Sequence, residues 1–384
     1  MRRVISYALI LMAWLTGCSI QTTESLSTPT KSPPITPPLI SSTLAESLAT
    51  QQPLFATSSP AASPIAVRET IQITPTPLPR YQLTYTMPEL NSQIGGADYD
   101  RIYAIDVGCL DSSQLCLGEP YLLLETSMQT STDINKPRGR IFNYSWSPDG
   151  TKIALCASGV GGNGDIFVAD MNNQRWINIT HSSEGEWHPS WSPDGQYIVF
   201  EACPSDSDPY NFCRIFQANT QGEVIELFGQ DRMSLIYPVW MPNGNEMIFN
   251  ISDDHGYWQI YRANLDGSNL QQITHAEMDS ISPSISSDNQ LMIFERKIDQ
   301  DRYDIFWANL NTNEENQITV DISRGVTNPA LAPFGKWIAF SSDIDISGGA
   351  NIYLVTMDGQ SMIQVTQGGG EYKQHPAWRF LSDP

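Results

Sequence analysis

One five-residue pattern constrains this chain more than any other. Trp146-Ser147-Pro148-Asp149-Gly150 recurs as Trp191-Ser192-Pro193-Asp194-Gly195, and weaker copies follow at Trp240-Met241-Pro242-Asn243-Gly244, Ile285-Ser286-Ser287-Asp288-Asn289 and Leu331-Ala332-Pro333-Phe334-Gly335. A last fragment is Trp378-Arg379-Phe380, and the lead residues are spaced by 45, 49, 45, 46 and 47 positions. A period in this range marks a repeat architecture whose units bury their apolar faces only by stacking on one another. Within each unit the lead strand runs into a Pro-Asp-Gly turn, where proline presets φ and glycine accepts the left-handed position.

Three more strands follow in each unit. The second is apolar: Ile153-Ala154-Leu155, Ile198-Val199-Phe200, Met247-Ile248-Phe249, Met292-Ile293-Phe294 and Ile338-Ala339-Phe340. The third carries an isoleucine-aromatic pair, at Ile166-Phe167, Ile215-Phe216, Ile260-Tyr261, Ile305-Phe306 and Ile352-Tyr353. The fourth ends in threonine in most copies, at Thr180, Thr274, Thr319 and Thr366. Four short strands per unit are a propeller blade. Five units are complete, and the sixth is split. Its first strand holds Trp378, its second Leu83-Thr84-Tyr85, its third Arg101 to Asp106 and its fourth Tyr121 to Leu124. The expectation is an all-β fold, a six-bladed propeller of four-stranded blades. Its N- and C-terminal strands pair in one blade, with the Trp378 strand beside the strand around Ile102. Such closure removes sheet edges that would invite aggregation.

These repeats resemble the WD-like propeller repeats of the periplasmic TolB family, over about residues 82–380. The resemblance implies the fold and is poor in function, because such repeats serve scaffolds, peptidase propellers and sugar-degrading enzymes alike.

The segment before the propeller reads as a lipoprotein leader and tether. Arg2 and Arg3 form a positive n-region, and Val4 to Leu15 is a mostly apolar run. That run is shorter than the roughly 20 residues a spanning helix needs. Leu15-Thr16-Gly17-Cys18 looks like a bacterial lipobox, with the Cys18 thiol accepting the lipid. Residues 1–17 are thus expected to be a signal peptide, 18–80 a lipidated cysteine and linker, and 81–384 the propeller. The linker is dominated by Ser, Thr, Pro, Ala and Gln, as in Thr74-Pro75-Thr76-Pro77. Such composition cannot build a core. The expected partners are a membrane, through the acyl chains, and a protein or cell-envelope polymer, with the chain itself a monomer.

Charge narrows the partners further. The formal charge is −21, and losing Arg2 and Arg3 with the signal peptide makes the mature chain −23. Such a surface repels phosphate backbones, which argues against nucleic acid, and favours cations or a basic partner. Of six cysteines, Cys109 with Cys116 and Cys203 with Cys213 are close enough for local disulfides in an oxidising compartment. Cys156 is left over in an apolar strand, as a buried free thiol.

Two sets of residues are candidates for binding. Three positions before each lead residue lie Asn143, His188, Tyr237, Ser282, Asn328 and His375, a polar ring at one mouth of the channel. Five of these precede proline, and Asn143 precedes Tyr144. The ring could bind a small ligand or peptide. Its commoner role would be to satisfy inner-strand backbone groups. The loops between second and third strands share an acidic theme: Asp98 and Asp100, Asp206 and Asp208, Asp253 and Asp254, Asp299 and Asp301, Asp343 and Asp345. Topology gathers them on the same face, where they would attract a cationic partner. Aspartate also starts tight loops by bonding nearby N–H groups, which needs no ligand. Trp187 and Trp258 fall near this face and could stack on sugars. Two histidines are too few for a metal site, no cofactor is expected, and no nucleophile elbow occurs. A non-enzymatic binding or scaffold module is therefore the leading expectation. A carbohydrate-active propeller enzyme, with its site at the channel mouth, is the alternative.

Overall fold

The computed structural model describes residues 80–91, 96–108, 115–126, 133–159, 163–204, 212–229, 233–253, 255–300, 302–320, 322, 325–344, 349–368 and 371–381. The signal segment, Cys18 and the linker lie outside these residues, as do Cys109, Asp206, Asp208, Asp254, Asp301 and Asp345. For Asp98 only the backbone is described.

The described strands form six blades. Blade 1 is β5 (Arg138–Trp146), β6 (Lys152–Ser158), β7 (Gly164–Asp170) and β8 (Arg175–Asn178). Blade 2 is β9 (Gly185–Trp191), β10 (Tyr197–Cys203), β11 (Arg214–Asn219) and β12 (Val224–Phe228). Blade 3 is β13 (Leu235–Trp240), β14 (Glu246–Ser252), β15 (Trp258–Asn264) and β16 (Gln271–Gln272). Blade 4 is β17 (Ser280–Ile285), β18 (Leu291–Lys297), β19 (Tyr303–Asn309) and β20 (Glu315–Gln317). Blade 5 is β21 (Val326–Leu331), β22 (Trp337–Ser342), β23 (Asn351–Thr356) and β24 (Met362–Gln364). Blade 6 joins the chain ends: β25 (Gln374–Leu381), β1 (Arg80–Asn91) and β2 (Gly96–Gly108), with β3 (Cys116–Leu117) and β4 (Tyr121–Glu125) sharing the outer edge.

The repeat residues explain the local geometry. In blade 1 the Ser147 hydroxyl donates to Asp149 at 2.6 Å and accepts from the Lys152 N–H at 2.9 Å. The backbone closes the same turn, from Ser147 N–H to the Lys152 carbonyl. Gly150, Gly195, Gly244 and Gly335 have φ of 67°, 69°, 76° and 78°, and Asn289 takes the same position at 59° where the fourth copy lacks glycine. In every blade an apolar second-strand residue stands opposite a third-strand aromatic: Phe200 opposite Phe216, Phe249 opposite Tyr261, Phe294 opposite Phe306, Phe340 opposite Tyr353, Tyr85 opposite Tyr103 and Leu155 opposite Phe167. Such cross-strand pairs lock register, because a slip of one residue would turn every ring out of the core. The recurring threonines cap the third strands. Thr180, Thr274, Thr319 and Thr366 accept from the N–H of Ile166, Ile260, Ile305 and Ile352 at 2.8 to 3.0 Å.

Closure differs in one detail from the sequence expectation. Trp378 pairs with Leu83, and Leu83 with Ile105, so the β1 strand lies between the Trp378 and Ile102 strands. The seam is held by specific contacts. Thr84 Oγ1 donates to the Ala377 carbonyl at 3.0 Å and accepts from Tyr144 Oη and Trp146 Nε1, both at 2.9 Å. Arg379 stacks 4.5 Å over the Trp146 ring and donates to the Gly150 carbonyl at 2.8 Å. Cys203 and Cys213 form a disulfide, and Cys156 is a free buried thiol. Cys116 is also disulfide-bonded.

Candidate functional site

In five blades the inner strand is interrupted at the same place. The ladder between first and second strands skips at His188-Pro189, Tyr237-Pro238, Ser282-Pro283, Asn328-Pro329 and His375-Pro376. Proline has no N–H to give, so a ladder bond is forfeited there and the strand bulges. The residue before each proline sits in the left-handed region, with φ of 48° for His188, 55° for Tyr237, Ser282 and Asn328, and 51° for His375. A residue with a Cβ is held there at a cost of about 1 kcal/mol. The bulge re-aims the side chain, so five polar residues receive a common treatment that regular strand geometry would not give. All five are half-buried. Asn143, which no proline follows, lacks the left-handed turn. It is half-buried too, and its Oδ1 accepts from the His188 N–H at 3.0 Å, linking blades 1 and 2.

A second set of polar residues recurs on the second strands, more deeply buried than the first, and sequence reasoning missed it. The second-strand residue after each core aromatic, or after Leu155 in blade 1, is Thr86, Cys156, Glu201, Asn250, Glu295 or Ser341, each at most 3% exposed. Several bond to the inner strand of the next blade or to the residue just before it. Cys156 Sγ donates to the Glu186 carbonyl at 2.8 Å, Asn250 Nδ2 to the Ser280 carbonyl at 2.6 Å, and Ser341 Oγ to the Lys373 carbonyl at 2.7 Å. Glu295 accepts from the Asn328 N–H at 2.7 Å, and burial pushes its carboxyl up to about 7. The detectable signal was a polar residue directly following the aromatic in successive second strands.

The two sets meet most closely at His188. Its Nδ1 is hydrogen-bonded to Glu201, and its ring lies 3.9 Å from that of Tyr237. Across Asn143, His375 Nδ1 contacts Thr86 Oγ1 at 3.1 Å. Burial pushes the His375 imidazole down to about 3, with His188 and Arg140 acting in the same direction. His375 is therefore an uncharged ring at neutral pH.

The acidic residues are less uniform than their spacing suggested. Asp100 is buried, and its Oδ2 accepts from the Ile141 N–H at 2.8 Å, so it ties blade 6 to blade 1 and does not reach the surface. Asp253 accepts from the N–H groups of His255 and Tyr257, both at 2.9 Å, the local loop role. Asp299 is open, with its side chain 61% exposed and Arg302 at 3.7 Å. Asp343 is half-buried. Trp187 packs edge-on against Phe142 at 4.7 Å, and with Trp258 it covers the Cys203–Cys213 disulfide, so both rings are committed to packing. Among the described residues no cluster of three or more His, Cys, Asp or Glu could hold a metal ion.

The fold is a six-bladed propeller whose inner strands carry a repeated polar bulge. Residues 213–382 match the family described as the TolB beta propeller domain. TolB from Acinetobacter baumannii superposes with a TM-score of 0.60 at 18% identity, over 78% of this chain and 66% of that one. A putative TolB from Agrobacterium tumefaciens gives 0.53 at 14% identity, over 79% and 99% of the two chains. In sequence, 110 residues are 32% identical to Dipeptidyl-peptidase 5 of Porphyromonas gingivalis, which is 27% of this chain and 15% of that protein. The chain thus spans less than two thirds of the Acinetobacter protein and under a sixth of the peptidase. The two structural likenesses establish the fold.

Proposed function

We propose that this chain is a membrane-anchored extracytoplasmic lipoprotein whose propeller is a binding module, and that the channel mouth is the face that engages its partner. The observation that carries this reading is the repeated left-handed bulge. Five non-glycine residues, each polar or carrying a polar tip, are held at an unfavourable φ at the same position of five inner strands. Core packing alone gives no reason to repeat that cost five times. The lipobox at Cys18 and the Cys203–Cys213 disulfide support an oxidising location outside the cytoplasm. Asp253, Asp299 and Asp343, on the same side as the mouth, would steer a cationic partner towards it.

Photocrosslinking in intact cells tests this. A photoreactive residue is placed at Tyr237 or Asn328 on the mouth, and at Gln196 or Asn243 in the opposite turns. The mouth positions are expected to give a discrete adduct that the turn positions do not. Equal yields from both ends would overturn the assignment of the mouth.

A further inference from the structure

The chemistry of the mouth is set by which atoms there lack a proton. Thr86 Oγ1 lies 3.1 Å from the Gln374 carbonyl oxygen, which can only accept, and 3.1 Å from His375 Nδ1. One hydroxyl proton cannot serve both. Both contacts are satisfied when Thr86 donates to Gln374 and the His375 Nδ1–H donates to Thr86. His375 Nε2 is then left with its lone pair. His188 is tethered through the same ring nitrogen, its Nδ1 hydrogen-bonded to Glu201, which leaves Nε2 as the ring nitrogen that can meet a ligand. Behind His188, Glu201 is 1% exposed and its second oxygen, Oε2, has no partner among the described residues. At the equivalent place in the next blade, Asn250 is 0% exposed and its Oδ1 is likewise unpartnered. A buried acceptor without a donor costs about 1–3 kcal/mol, so these atoms ask for a ligand that brings N–H groups. Arg140, the cation acting on His375, also acts on the buried Asp100, and its Nε has no partner among the described residues. The Tyr237 ring packs against that of His188 with centroids 3.9 Å apart.

We propose that the mouth formed by His188, Tyr237 and His375 over Glu201 binds a primary ammonium group of a peptide, carried by its free amino terminus or by a lysine side chain. The proposal rests on the binding-module reading and names the group that is bound. An ammonium ion carries three donors and no acceptor, which matches the unpartnered oxygens of Glu201 and Asn250, and the net charge of −21 draws it in.

The test uses the mature full-length chain in detergent and four probes: trialanine amide, its N-acetyl form, Nα-acetyl-lysine amide, and the doubly acetylated lysine amide. The readout is the ring ¹⁵N resonance of each histidine Nε2, assigned with His188→Gln and His375→Gln. Free-amine probes are expected to move both Nε2 resonances, and acetylation of the amine to weaken binding at least tenfold. Tighter binding of trialanine amide would assign the amino terminus, and tighter binding of the lysine probe the side chain. Glu201→Gln, which keeps the shape, is expected to weaken both at least fivefold. Should that variant fail to fold, the acetylated and free probes still decide. Acetylated probes that bind within twofold of the free ones, or Nε2 resonances that no probe moves because ordered water fills the site, would overturn the proposal. Mouth crosslinks persisting in that case would leave the binding-module reading standing, whereas their loss would remove the reading itself.

Discussion

Gly150→Ala and Gly195→Ala are the same substitution in the same turn, yet the ring makes them unequal. Both glycines are left-handed, at φ 67° and 69°, so each alanine loses about 1 kcal/mol to backbone strain. At Gly195 an added Cβ meets only Pro148 Cδ, at 3.6 Å, which is ordinary contact. At Gly150 it would fall 1.7 Å from the Phe380 carbonyl oxygen and 2.9 Å from the Phe380 carbonyl carbon. Those atoms are backbone of β25, the strand that closes blade 6, so the strand itself must move. The displacement breaks the Arg379–Gly150 hydrogen bond and lifts Arg379 from Trp146. A charged hydrogen bond contributes about 1.5–3 kcal/mol and an exposed to half-buried cation–π contact about 0.5–2. Gly150→Ala should therefore cost roughly 2–5 kcal/mol more than Gly195→Ala. Urea unfolding followed by tryptophan fluorescence measures the difference. At about 2 °C per kcal/mol for a domain this large, Tm should fall by about 2 °C for Gly195→Ala and roughly 6–12 °C for Gly150→Ala. Costs equal within about 0.5 kcal/mol would refute the idea that β25 is packed against the blade 1 turn.

Other outcomes follow from the same structure. Cys18→Ala should leave the protein unlipidated and in the soluble fraction after membrane fractionation, because only acyl chains hold it to the bilayer. Burial pushes the Glu186 carboxyl up to about 8. The folded chain then keeps a proton that the unfolded chain releases near the ordinary carboxylate value. Stability should therefore fall as pH rises from about 5 to 8, and Glu186→Gln should flatten that decline in pH-dependent urea melts. Asp253→Asn with Asp343→Asn should slow association of a cationic partner and reduce its salt dependence, measured by surface-coupled kinetics, with little change in the off-rate.

The blade plan was legible because each turn needs particular residues at fixed offsets. Pro-Asp-Gly marks the first turn, the isoleucine-aromatic pair the third strand, and threonine the cap on that strand. The split blade followed from counting, although Trp378 pairs with Leu83 and not directly with the Ile102 strand. The six positions were picked by offset alone, and what five of them share is visible only in the backbone: each precedes a proline, skips the ladder and sits at positive φ, which a one-dimensional pattern does not show. Glu201 and Asn250 were hidden because, within its own strand, one polar residue after an aromatic reads as the end of an apolar run, and its recurrence shows only when the blades are aligned. Asp100 misled the reading of the acidic loops. Its spacing matches the others, but it bonds Ile141 across a blade boundary, and that contact depends on which strands the ring brings together.

The partner is expected to sit on the bulged mouth and to leave the turn rim free. Hydrogen–deuterium exchange on the mature chain, with and without the partner recovered by crosslinking, tests it most directly. Bound partner should slow exchange in residues 185–188, 235–237 and 374–375, which carry the ring, and leave 147–151 and 192–196 unchanged. Protection confined to those turns, with the three mouth segments exchanging as in the free chain, would contradict it.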